Sequence, residues 1–589
     1  MNQLLLADAR ATPVSCQPPL IIDSFAGGGG ASTGIEMALG ISPHIAINHN
    51  PAALALHAAN HPDTLHISQN IYKVDPLDYI SGRHIGLAWF SPDCTHFSRA
   101  KGGTPVARNI RDLAHIIPFW IERIQKSGGK IDVVIMENVE EFVTWGPLVQ
   151  TPLGLMPCPD RKGETFAKWK SRLRRLGGRI EMKKLSGHDY GAPTIRKRLF
   201  IIIRFDGQPI VWPEPTHARP DDPDVLAGRK KPWNVTADQL DWSIPCPSIF
   251  DSRDEIREKW NLRANRPLVF KTLARIARGI KKEILDNTTP VIVSIPATES
   301  RQEPEVITPA VTRFSSGSTG HAVNRPLATI TANSFHKRPG GAAPIGIIAP
   351  QIRHHQSAAA APIVAQHNST RNGSPNPGRS VNDPLSTITT TGSQQALVSA
   401  FIARHFGTIS SHPVTEPSHT VMPQGSGKSI LVTPFLQSYY GTELDGDSVM
   451  APMRTITAKS RHGLVRTTVR IPPFESHHAS RAREVAKLMR EHGYWDDREF
   501  VTFSVDGHTL VIVDIGIRML TPRELFNAQG FPKSYEIETG LINGTRIELT
   551  KDVQISCVGN SVCPPVAEAL VRENCRDIFD LRHSSSKAA

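Results

Sequence analysis

Five short runs in the first third of the chain are uniformly apolar, and segments with helical periodicity separate them. The runs are Leu20–Ile22, Ile45–Ile47, Ile85–Phe90, Val133–Met136 and Leu199–Ile203. A strand covered on both faces lacks the polar alternation of a half-exposed strand, and such strands are typical of parallel sheets flanked by helices. The intervening helical stretches include Ala52–Asn60, Ile110–Lys126 and Glu164–Leu176. The alternation predicts an α/β fold with a parallel, doubly wound sheet.

Length and charge limit the class of protein. A chain of 589 residues has room for about four domains and needs at least two. Hydrophobic residues make up 39% of it and charged residues 21%, which excludes wholesale disorder. The 67 Lys and Arg exceed the 55 Asp and Glu by 12, a balance that suits a polyanion such as nucleic acid. Basic enzymes without such a partner are also common, so charge alone leaves both alternatives open.

Cysteine usage and hydropathy predict the compartment. The seven cysteines are scattered and form no CxxC pair, so we expect neither a disulfide framework nor a structural zinc site. The first ten residues lack the basic region of a signal peptide, and no apolar run approaches the length of a membrane span. We therefore expect a soluble, cytoplasmic protein.

The composition changes near residue 206, beyond which Gly, Pro, Ser and Thr dominate. A weak repeat recurs there at Pro326–Thr331, Pro384–Thr389, Pro417–Met422 and Pro452–Thr457. Its spacing is too uneven for a solenoid, which favours short β-branched strands joined by irregular loops. A Lys- and Arg-rich helix is predicted at Pro267–Leu285, and ordered alternation resumes near residue 510.

A glycine-rich turn follows the first predicted strand. Ser24–Gly30 reads Ser-Phe-Ala-Gly-Gly-Gly-Gly and leads into a predicted helix, Ala31–Leu39. Such a turn lets a ligand approach the backbone at a helix N-terminus. The spacing is not that of the dinucleotide motif GxGxxG, because Ser32 stands where the third Gly belongs. Phe25 offers an apolar face for an adenine ring, although a plain tight turn is the alternative.

Chemically capable side chains follow several of the other strands. Cys94 lies just beyond Ile85–Phe90, and Glu137 directly follows Val133–Met136. Arg196 and Arg198 lead into Leu199–Ile203. Ligands bind at the carboxyl ends of strands in this architecture, and a carboxylate there is costly to bury unless it is paired or used. We expect a thiol, a carboxylate and two guanidinium groups in one crevice beside the glycine-rich turn.

The order of these motifs resembles that of DNA (cytosine-5)-methyltransferases. The motifs are Phe25-x-Gly27, Pro-x-Cys94 with Phe97-Ser98, Glu137-Asn138-Val139, Arg196-x-Arg198, Arg518-x-Leu-Thr-Pro-Arg523-Glu and Gly559-Asn560-Ser561-Val562. The resemblance covers about residues 20–205 and 515–572, and the part between them matches only as the variable target-recognition region of the family.

The resemblance implies a role for each matching residue. Cys94 is the expected nucleophile, Glu137 the acid that protonates N3 of cytosine, Arg198 the contact to O2, and Arg196 its brace. The implied cofactor is S-adenosyl-L-methionine, without a metal. Its predicted binding residues are Phe25, Ala26, Gly27, Gly29, Gly30, Asn48, Asn70, Asn560 and Ser561.

Four positions depart from the family pattern. Asp93 precedes the nucleophile where the family has Pro, and Thr194 stands where it has Gln. Asn48 and Asn70 replace acidic residues that hold the ribose and the adenine amine. Because amide side chains still accept hydrogen bonds, these changes bear on cofactor affinity more than on cofactor identity.

The resemblance also predicts the organisation and the partner. We expect a tail at 1–18, a methyltransferase domain at 19–205, a loop- and β-rich target-recognition region at 206–510, a segment completing the catalytic domain at 511–575 and a tail at 576–589. The implied substrate is cytosine in double-stranded DNA, flipped out of the helix, and we expect a monomer. RNA methylation is disfavoured by an insert of about 300 residues. A catalytically silent DNA-binding module would tolerate loss of Cys94 or Glu137, and both are present.

Overall fold

The structure is a computed structural model that describes residues 18–93, 112–152, 154–287, 476–505 and 508–575. Between residues 293 and 470 it describes the backbone of a set of strands. Cys94 and the cores of all four repeats lie outside the described residues, as do positions 1–17 and 576–589 of the two predicted tails.

A seven-stranded sheet forms the first body of the protein. Its strands are β1 (Leu20–Ser24), β2 (Ile45–Asn48), β3 (Leu65–Ser68), β4 (Ile85–Phe90), β5 (Ile131–Asn138), β8 (Arg179–Ser186) and β9 (Lys197–Arg204), with the small hairpin β6 (Leu148–Thr151) and β7 (Gly154–Pro157) outside it. The strand order is β3-β2-β1-β4-β5-β9-β8. Strands β2 and β3 extend the sheet on one side of β1, and β4 begins its extension on the other side. The crevice between β1 and β4 is therefore the switch point at which ligands bind in such folds.

One strand runs against the others. The first five strands pair in parallel, but β9 pairs antiparallel with both β5 and β8. The sheet predicted to be parallel is thus parallel in most of its strands and antiparallel at β9. The physical reason is the short connection from β8 to β9, residues 187–196, which cannot hold the crossover that a parallel pair requires.

Helices cover both faces of this sheet. Those of the first body are α1 (Gly30–Leu39), α2 (Pro51–Asn60), α3 (Leu77–Ile80), α4 (Ile116–Lys126) and α5 (Glu164–Arg175). One face packs against α4 and α5, and the other against α1 and the chain's last helix. The α/β, doubly wound fold class is thereby confirmed.

The C-terminal part of the chain returns to the same sheet. After the helices α6 (Pro223–Leu226), α7 (Arg253–Trp260), α8 (Phe270–Ile280) and α9 (Ser476–Glu491) come α10 (Pro522–Gln529), α11 (Lys551–Asn560) and α12 (Pro564–Asn574). The last helix, α12, lies so close to α1 that a Cβ on Gly34 would come within 2.5 Å of the Ala567 Cβ. The C-terminal segment thus supplies one layer of the first body.

A second sheet of eight strands belongs to the insert. Its order is Val293–Ile295, Glu305–Arg313, Gly320–Ala322, Leu436–Ser438, His462–Arg470, Ile345–Ala349, His508–Met519 and Thr502–Val505. The other described short strands are His217–Ala218, Lys231–Pro232, Ile363–Gln366, Arg379–Ser380, Gln395–Val398, Phe401–Phe406, Ile409–Pro413, Thr539–Ile542 and Thr545–Glu548. Helices α8 and α9 pack on the second sheet through an aliphatic core that includes Ile276, Val485 and Ile512. The predicted boundary at residue 510 falls within the strand His508–Met519, and the domain bounds stay a prediction.

Among the helices that the structure describes, none combines the length and the apolar character needed to cross a membrane.

Candidate active site

The glycine-rich turn joins β1 to α1 in a conformation that most residues avoid. Phe25, Gly27 and Gly29 have φ angles of 65°, 54° and 85°, all in the left-handed region. Gly29 is the N-cap of α1, and the Ala26 N–H donates to the Ile47 carbonyl of the neighbouring strand at 3.1 Å. Glycine adopts left-handed backbone readily, whereas a residue with a Cβ is strained there, so the conformation explains why positions 27 and 29 are glycine.

The glycines of the turn differ in what surrounds them. Among the described residues, a Cβ on Gly27 would meet only the Phe25 carbonyl at 3.8 Å and the Asn48 Nδ2 at 3.9 Å. A Cβ on Gly30 would lie 2.0 Å from the Ser561 Oγ, because the C-terminal segment packs against this end of the turn. One glycine thus faces open space, whereas the other is required by the packing of the protein itself.

Asn48 and Asn70 stand at the carboxyl ends of β2 and β3, on the same edge of the sheet as the turn. The Asn48 Oδ1 accepts from the Asn50 backbone N–H at 3.0 Å, and the Asn70 Oδ1 accepts from the Tyr72 N–H at 3.1 Å. Each amide oxygen is therefore engaged by its own turn, and the amide NH₂ groups are the donors that remain for a ligand.

Glu137 and Arg198 meet at the carboxyl edge of the sheet. The pairing of β5 with β9 places them on adjacent strands, and the Arg198 Nε lies 3.1 Å from the Glu137 Oε1. Both side chains are mostly buried, with 14% of Arg198 and 9% of Glu137 exposed. Within the described part of the chain, no hydrogen bond of acceptable geometry reaches that Oε1. The pair therefore holds a buried carboxylate oxygen with no hydrogen bond from the described residues.

Arg196 reaches the C-terminal segment instead of Glu137. It is buried, and its Nη1 donates to the Gly559 carbonyl at 3.2 Å. Its backbone N–H donates to the Thr194 Oγ1 at 3.3 Å, so Thr194 supplies a local bond at the position where the sequence departs from the family. Arg196 thereby ties the strand that carries Arg198 to the segment that carries Asn560 and Ser561.

Asn560 and Ser561 lie at the end of α11. Asn560 is the last residue of that helix and is exposed, whereas Ser561 is buried. The Ser561 carbonyl accepts from the Gln529 Nε2 at 2.9 Å, while its Oγ, pressed against Gly30, has no partner among the described residues. The predicted return of this segment to the glycine-rich turn is thus a feature of the structure.

Cys94 lies outside the described residues, but the chain leading to it is anchored near Glu137. The Asn138 Nδ2 donates to the Pro92 carbonyl at 3.1 Å, and the Ser91 N–H donates to the Ser24 carbonyl at 3.1 Å. The chain thus leaves β4 between the glycine-rich turn and the Glu137–Arg198 pair.

Buried polar groups that have no hydrogen-bond partner among the described residues cluster at the end of β1. Asp23 is fully buried, and its Oδ2 accepts from the Ser32 Oγ at 2.7 Å. Within the described ranges its Oδ1 and the Ser24 Oγ have no partner. Burial raises the pKa of Asp23 to about 7, against the lowering effect of the Ser32 hydrogen bond. Unfilled hydrogen-bond capacity in a buried position is expensive, and its concentration at one place indicates a ligand site.

Two further cysteines lie close to the site but are poor nucleophiles. Burial raises the pKa of both Cys557 and Cys563 to about 12, so each stays a neutral thiol near pH 7. Across the described residues, no cluster of His, Cys, Asp and Glu is arranged to hold a metal ion.

Three residues that hold the site together were given no role from the sequence: Asn138, which was named only as part of a motif, Gln529 and Tyr535. Asn138 is visible in the sequence as the neighbour of Glu137, since an amide beside a catalytic-type carboxylate is a ready orienting group. Tyr535, whose Oη donates to the Gly28 carbonyl at 2.8 Å, is 507 residues away from its partner, and no local pattern marks that contact.

Comparison with known proteins agrees with this geometry. The family model of C-5 cytosine-specific DNA methylases matches residues 20–227 and 448–576, together more than half of the chain. The Type II methyltransferase M1.HphI of Haemophilus parahaemolyticus is 28% identical over 208 residues, which are 35% of this chain and 50% of that protein. The Type II methyltransferase M.AgeI of Thalassovita gelatinovora is 28% identical over 201 residues, 33% of this chain and 42% of that protein.

The matched part thus spans about half the length of these curated relatives. A solved structure, the Dnmt2 methyltransferase of S. pombe, aligns over 95% of this chain and 99% of its own, with 11% identity and a TM-score of 0.38.

Proposed function

The chain belongs to the family of C-5 cytosine-specific DNA methylases, and from this premise we propose that it transfers a methyl group from S-adenosyl-L-methionine to C5 of a cytosine in a specific sequence of double-stranded DNA. We further propose that the cytosine is flipped out of the helix and is attacked at C6 by Cys94. The observation that carries the proposal is the buried Glu137–Arg198 pair, 3.1 Å apart, at the carboxyl edge of the sheet.

The chemistry explains why these side chains are needed together. C5 of cytosine is too weakly nucleophilic to accept a methyl group directly. A bond from the Cys94 thiolate to C6, with a proton delivered to N3, makes C5 enamine-like and nucleophilic. Glu137 would deliver that proton, and Arg198 would donate to O2, where negative charge develops. After methyl transfer, loss of the C5 proton expels the thiolate and restores the aromatic ring.

The residues present suit a methyl donor bound at the turn. A sulfonium supplies the methyl group, and the donor's adenosine and methionine parts need polar and apolar contacts. Gly27 leaves room beside the turn, and Asn48 and Asn70 offer amide donors at the adjacent strand ends.

Two cysteines near the turn are poor candidates for the nucleophile, which favours Cys94. Cys557 and Cys563 are described cysteines close to the turn, and burial holds the pKa of each at about 12. Cys94 follows β4, whose end is anchored to Asn138 beside Glu137.

The insert is the part proposed to read the DNA sequence. The family model leaves residues 228–447 unmatched, whereas every motif that carries the chemistry lies in the matched parts. The relatives are named Type II methyltransferases, which supports modification of a defined sequence. Exchanging the insert with that of a relative should change which cytosines are methylated. An active chimera that keeps its original site would assign recognition elsewhere.

The decisive experiment uses the order of bond formation. Fluorine at C5 cannot leave as a cation, so a duplex with 5-fluorocytosine at the target should stop after methyl transfer with the enzyme bound covalently to DNA. The adduct should survive a denaturing gel, and mass spectrometry should locate it on Cys94. Cys94→Ala should form no adduct. An adduct on another cysteine, or an active Cys94→Ala enzyme, would overturn the mechanism, and an adduct formed with RNA alone would overturn the substrate.

A further inference from the structure

Tyr535 occupies the underside of the glycine-rich turn. It is buried, and its Oη donates to the Gly28 carbonyl at 2.8 Å. A Cβ on Gly29 would lie 2.3 Å from the same oxygen, which is far inside contact distance. The hydroxyl therefore both bonds one peptide unit of the turn and fills the space beside the next.

The ring of Tyr535 is itself held firmly. It stacks on Phe526, with centroids 6.0 Å apart and an interplanar angle of 23°, and it contacts Phe531 with centroids 4.7 Å apart. The next residue, Glu536, exchanges two hydrogen bonds with the Asn60 side chain, at 2.7 and 2.8 Å. The hydroxyl is thus presented from a rigid base fixed to α10 and α2.

The hydroxyl is always available as a donor. Burial raises the pKa of Tyr535 above its ordinary value, so the phenol stays neutral wherever the protein is folded. A fixed donor next to a turn of four consecutive glycines has a clear physical effect. Glycine populates both signs of φ with little cost, so without a bond to the Gly28 carbonyl the turn would sample conformations unable to receive a ligand.

We propose that Tyr535 is a positioning residue for cofactor binding, and that its hydroxyl holds the Gly27–Gly30 turn in the conformation that receives the methyl donor. This inference rests on the proposed function. The C-terminal segment would then have two functions. It covers the sheet, and through Tyr535 it holds the glycine-rich turn in its binding conformation before the ligand arrives.

The test removes one oxygen atom and measures binding without DNA. Tyr535→Phe keeps the stacked ring, and calorimetry with S-adenosylhomocysteine should show a Kd about tenfold higher, as expected for loss of one organising hydrogen bond. Tyr190→Phe is the matched control, because Tyr190 is also buried and donates from its Oη to the Pro213 carbonyl at 3.0 Å. Both variants should lose a few degrees of Tm, but Tyr190→Phe should bind the ligand with unchanged Kd.

A double-mutant cycle checks the contact itself. Gly29→Ala places a methyl group against the Tyr535 Oη, so its effect on Tm should be smaller in the Tyr535→Phe background, where that oxygen is absent. Steady-state kinetics add a second readout. The KM for S-adenosyl-L-methionine should rise in Tyr535→Phe, while kcat at saturation and the KM for DNA stay as in the unmodified chain.

Each outcome is decisive. If Tyr535→Phe lowers Tm but binds S-adenosylhomocysteine as the unmodified chain does, Tyr535 is a packing residue and the positioning role is overturned. If the unmodified chain binds and methylates while both Phe variants weaken binding equally, the effect is general loss of rigidity and the assignment to Tyr535 falls. If the unmodified chain itself does not bind the ligand, the proposed function fails, and this inference with it.

Discussion

Two buried arginine–glutamate pairs in the described part of the chain are built differently. Arg518 and Glu524, with 7% and 3% of their side chains exposed, form a two-point contact at 2.7 and 2.9 Å. Glu524 also accepts from the backbone N–H groups of Thr521 and Asp241. The Arg198 Nε lies 3.1 Å from the Glu137 Oε1, but among the described residues that oxygen has no hydrogen bond.

The difference distinguishes a structural pair from one available to a ligand. Buried charges are tolerated when every acceptor is filled, and Glu524 meets that condition at the junction between the insert's strand and α10. Glu137 has a carboxylate oxygen without a hydrogen bond from the described residues, and it lies at the edge of the sheet where β4, the strand before Cys94, ends. Burying that oxygen without a partner destabilises the folded protein, and a bound base that supplies the partner would recover this free energy. Four predictions, at Glu137, Glu524, Asp23 and Gly27, sharpen or break this comparison.

The largest effect is expected at the open pair. Glu137→Gln keeps the shape of the side chain but cannot deliver a proton to N3, so methylation should slow by about 10²- to 10⁴-fold. Because the Glu137 Oε1 has no hydrogen bond among the described residues, the free energy of unfolding should change by less than about 1 kcal/mol. Methyl incorporation from labelled donor and urea unfolding followed by circular dichroism measure the two quantities.

Glu140→Gln is the matched control for this variant. Glu140 lies three residues further on and pairs with Lys184 at 2.8 Å in a partly exposed position. Loss of such a pair should cost less than about 1 kcal/mol and leave the methylation rate within about twofold. Equal loss of activity in both variants would mean that the region, and not the Glu137 carboxyl, is needed.

Next in size is the saturated pair. Glu524→Gln leaves the buried Arg518 guanidinium without its counter-charge, so the free energy of unfolding should fall by about 3–5 kcal/mol. Replacing both residues, as Arg518→Met with Glu524→Leu, should recover part of this loss because no isolated charge remains. Denaturant unfolding of the single and double variants tests this. A Glu524→Gln protein as stable as Glu137→Gln would break the comparison.

Asp23 extends the comparison to a third buried carboxyl, with one oxygen bound by Ser32 and the other open among the described residues. Its folded pKa of about 7 lies above the ordinary 3.8, because burial disfavours the charged form. Between these values the unfolded chain has released the proton that the folded protein keeps. Stability should therefore fall as pH rises from about 4 to about 7.

Asp23→Asn cannot ionise, so it should remove this decline. The variant should exceed the unmodified chain in stability by at most about 4 kcal/mol at pH 8, with the advantage vanishing near pH 4. Urea unfolding at a series of pH values without ligand measures the difference. Parallel pH profiles for the two proteins would show that Asp23 is ionised normally in the folded state.

The sequence predicts the centre of the catalytic sheet better than its edges. The five predicted strands are recognisable because they are covered on both faces and so are uniformly apolar. The edge strands β3 and β8 escape this criterion, because Leu65–Ser68 and Arg179–Ser186 are largely polar or partly exposed. Edge strands need only one covered face, which leaves a weak pattern. The reversed direction of β9 follows from loop length, a signal that the alternation of strands and helices does not carry.

Site residues can be predicted from the sequence where a charged side chain directly follows or precedes an apolar strand. Glu137 and Arg198 stand on strands that pair, so their meeting follows once the sheet order is known. The side chains that pack against the glycine-rich turn cannot be predicted from the sequence. Sequence alone suggests that its glycines make room for a ligand, yet Gly29 and Gly30 are pressed by Tyr535 and Ser561. Such contacts depend on how distant segments dock, which no local pattern records.

The sharpest separation of packing from binding is expected at Gly27. With φ at 54° and no described atom nearer than 3.8 Å to an added Cβ, Gly27→Val should cost about 1–3 kcal/mol of backbone strain. It should nevertheless abolish binding of S-adenosylhomocysteine in calorimetry, because the new side chain occupies the space beside Asn48.

Gly30→Ala should lose more stability than Gly27→Val, since its Cβ would lie 2.0 Å from the Ser561 Oγ and 2.3 Å from the Val562 carbonyl. Near-normal ligand binding by Gly27→Val would show that the space is not the cofactor's, and the open acceptors at Asp23 and Glu137 would then need another occupant.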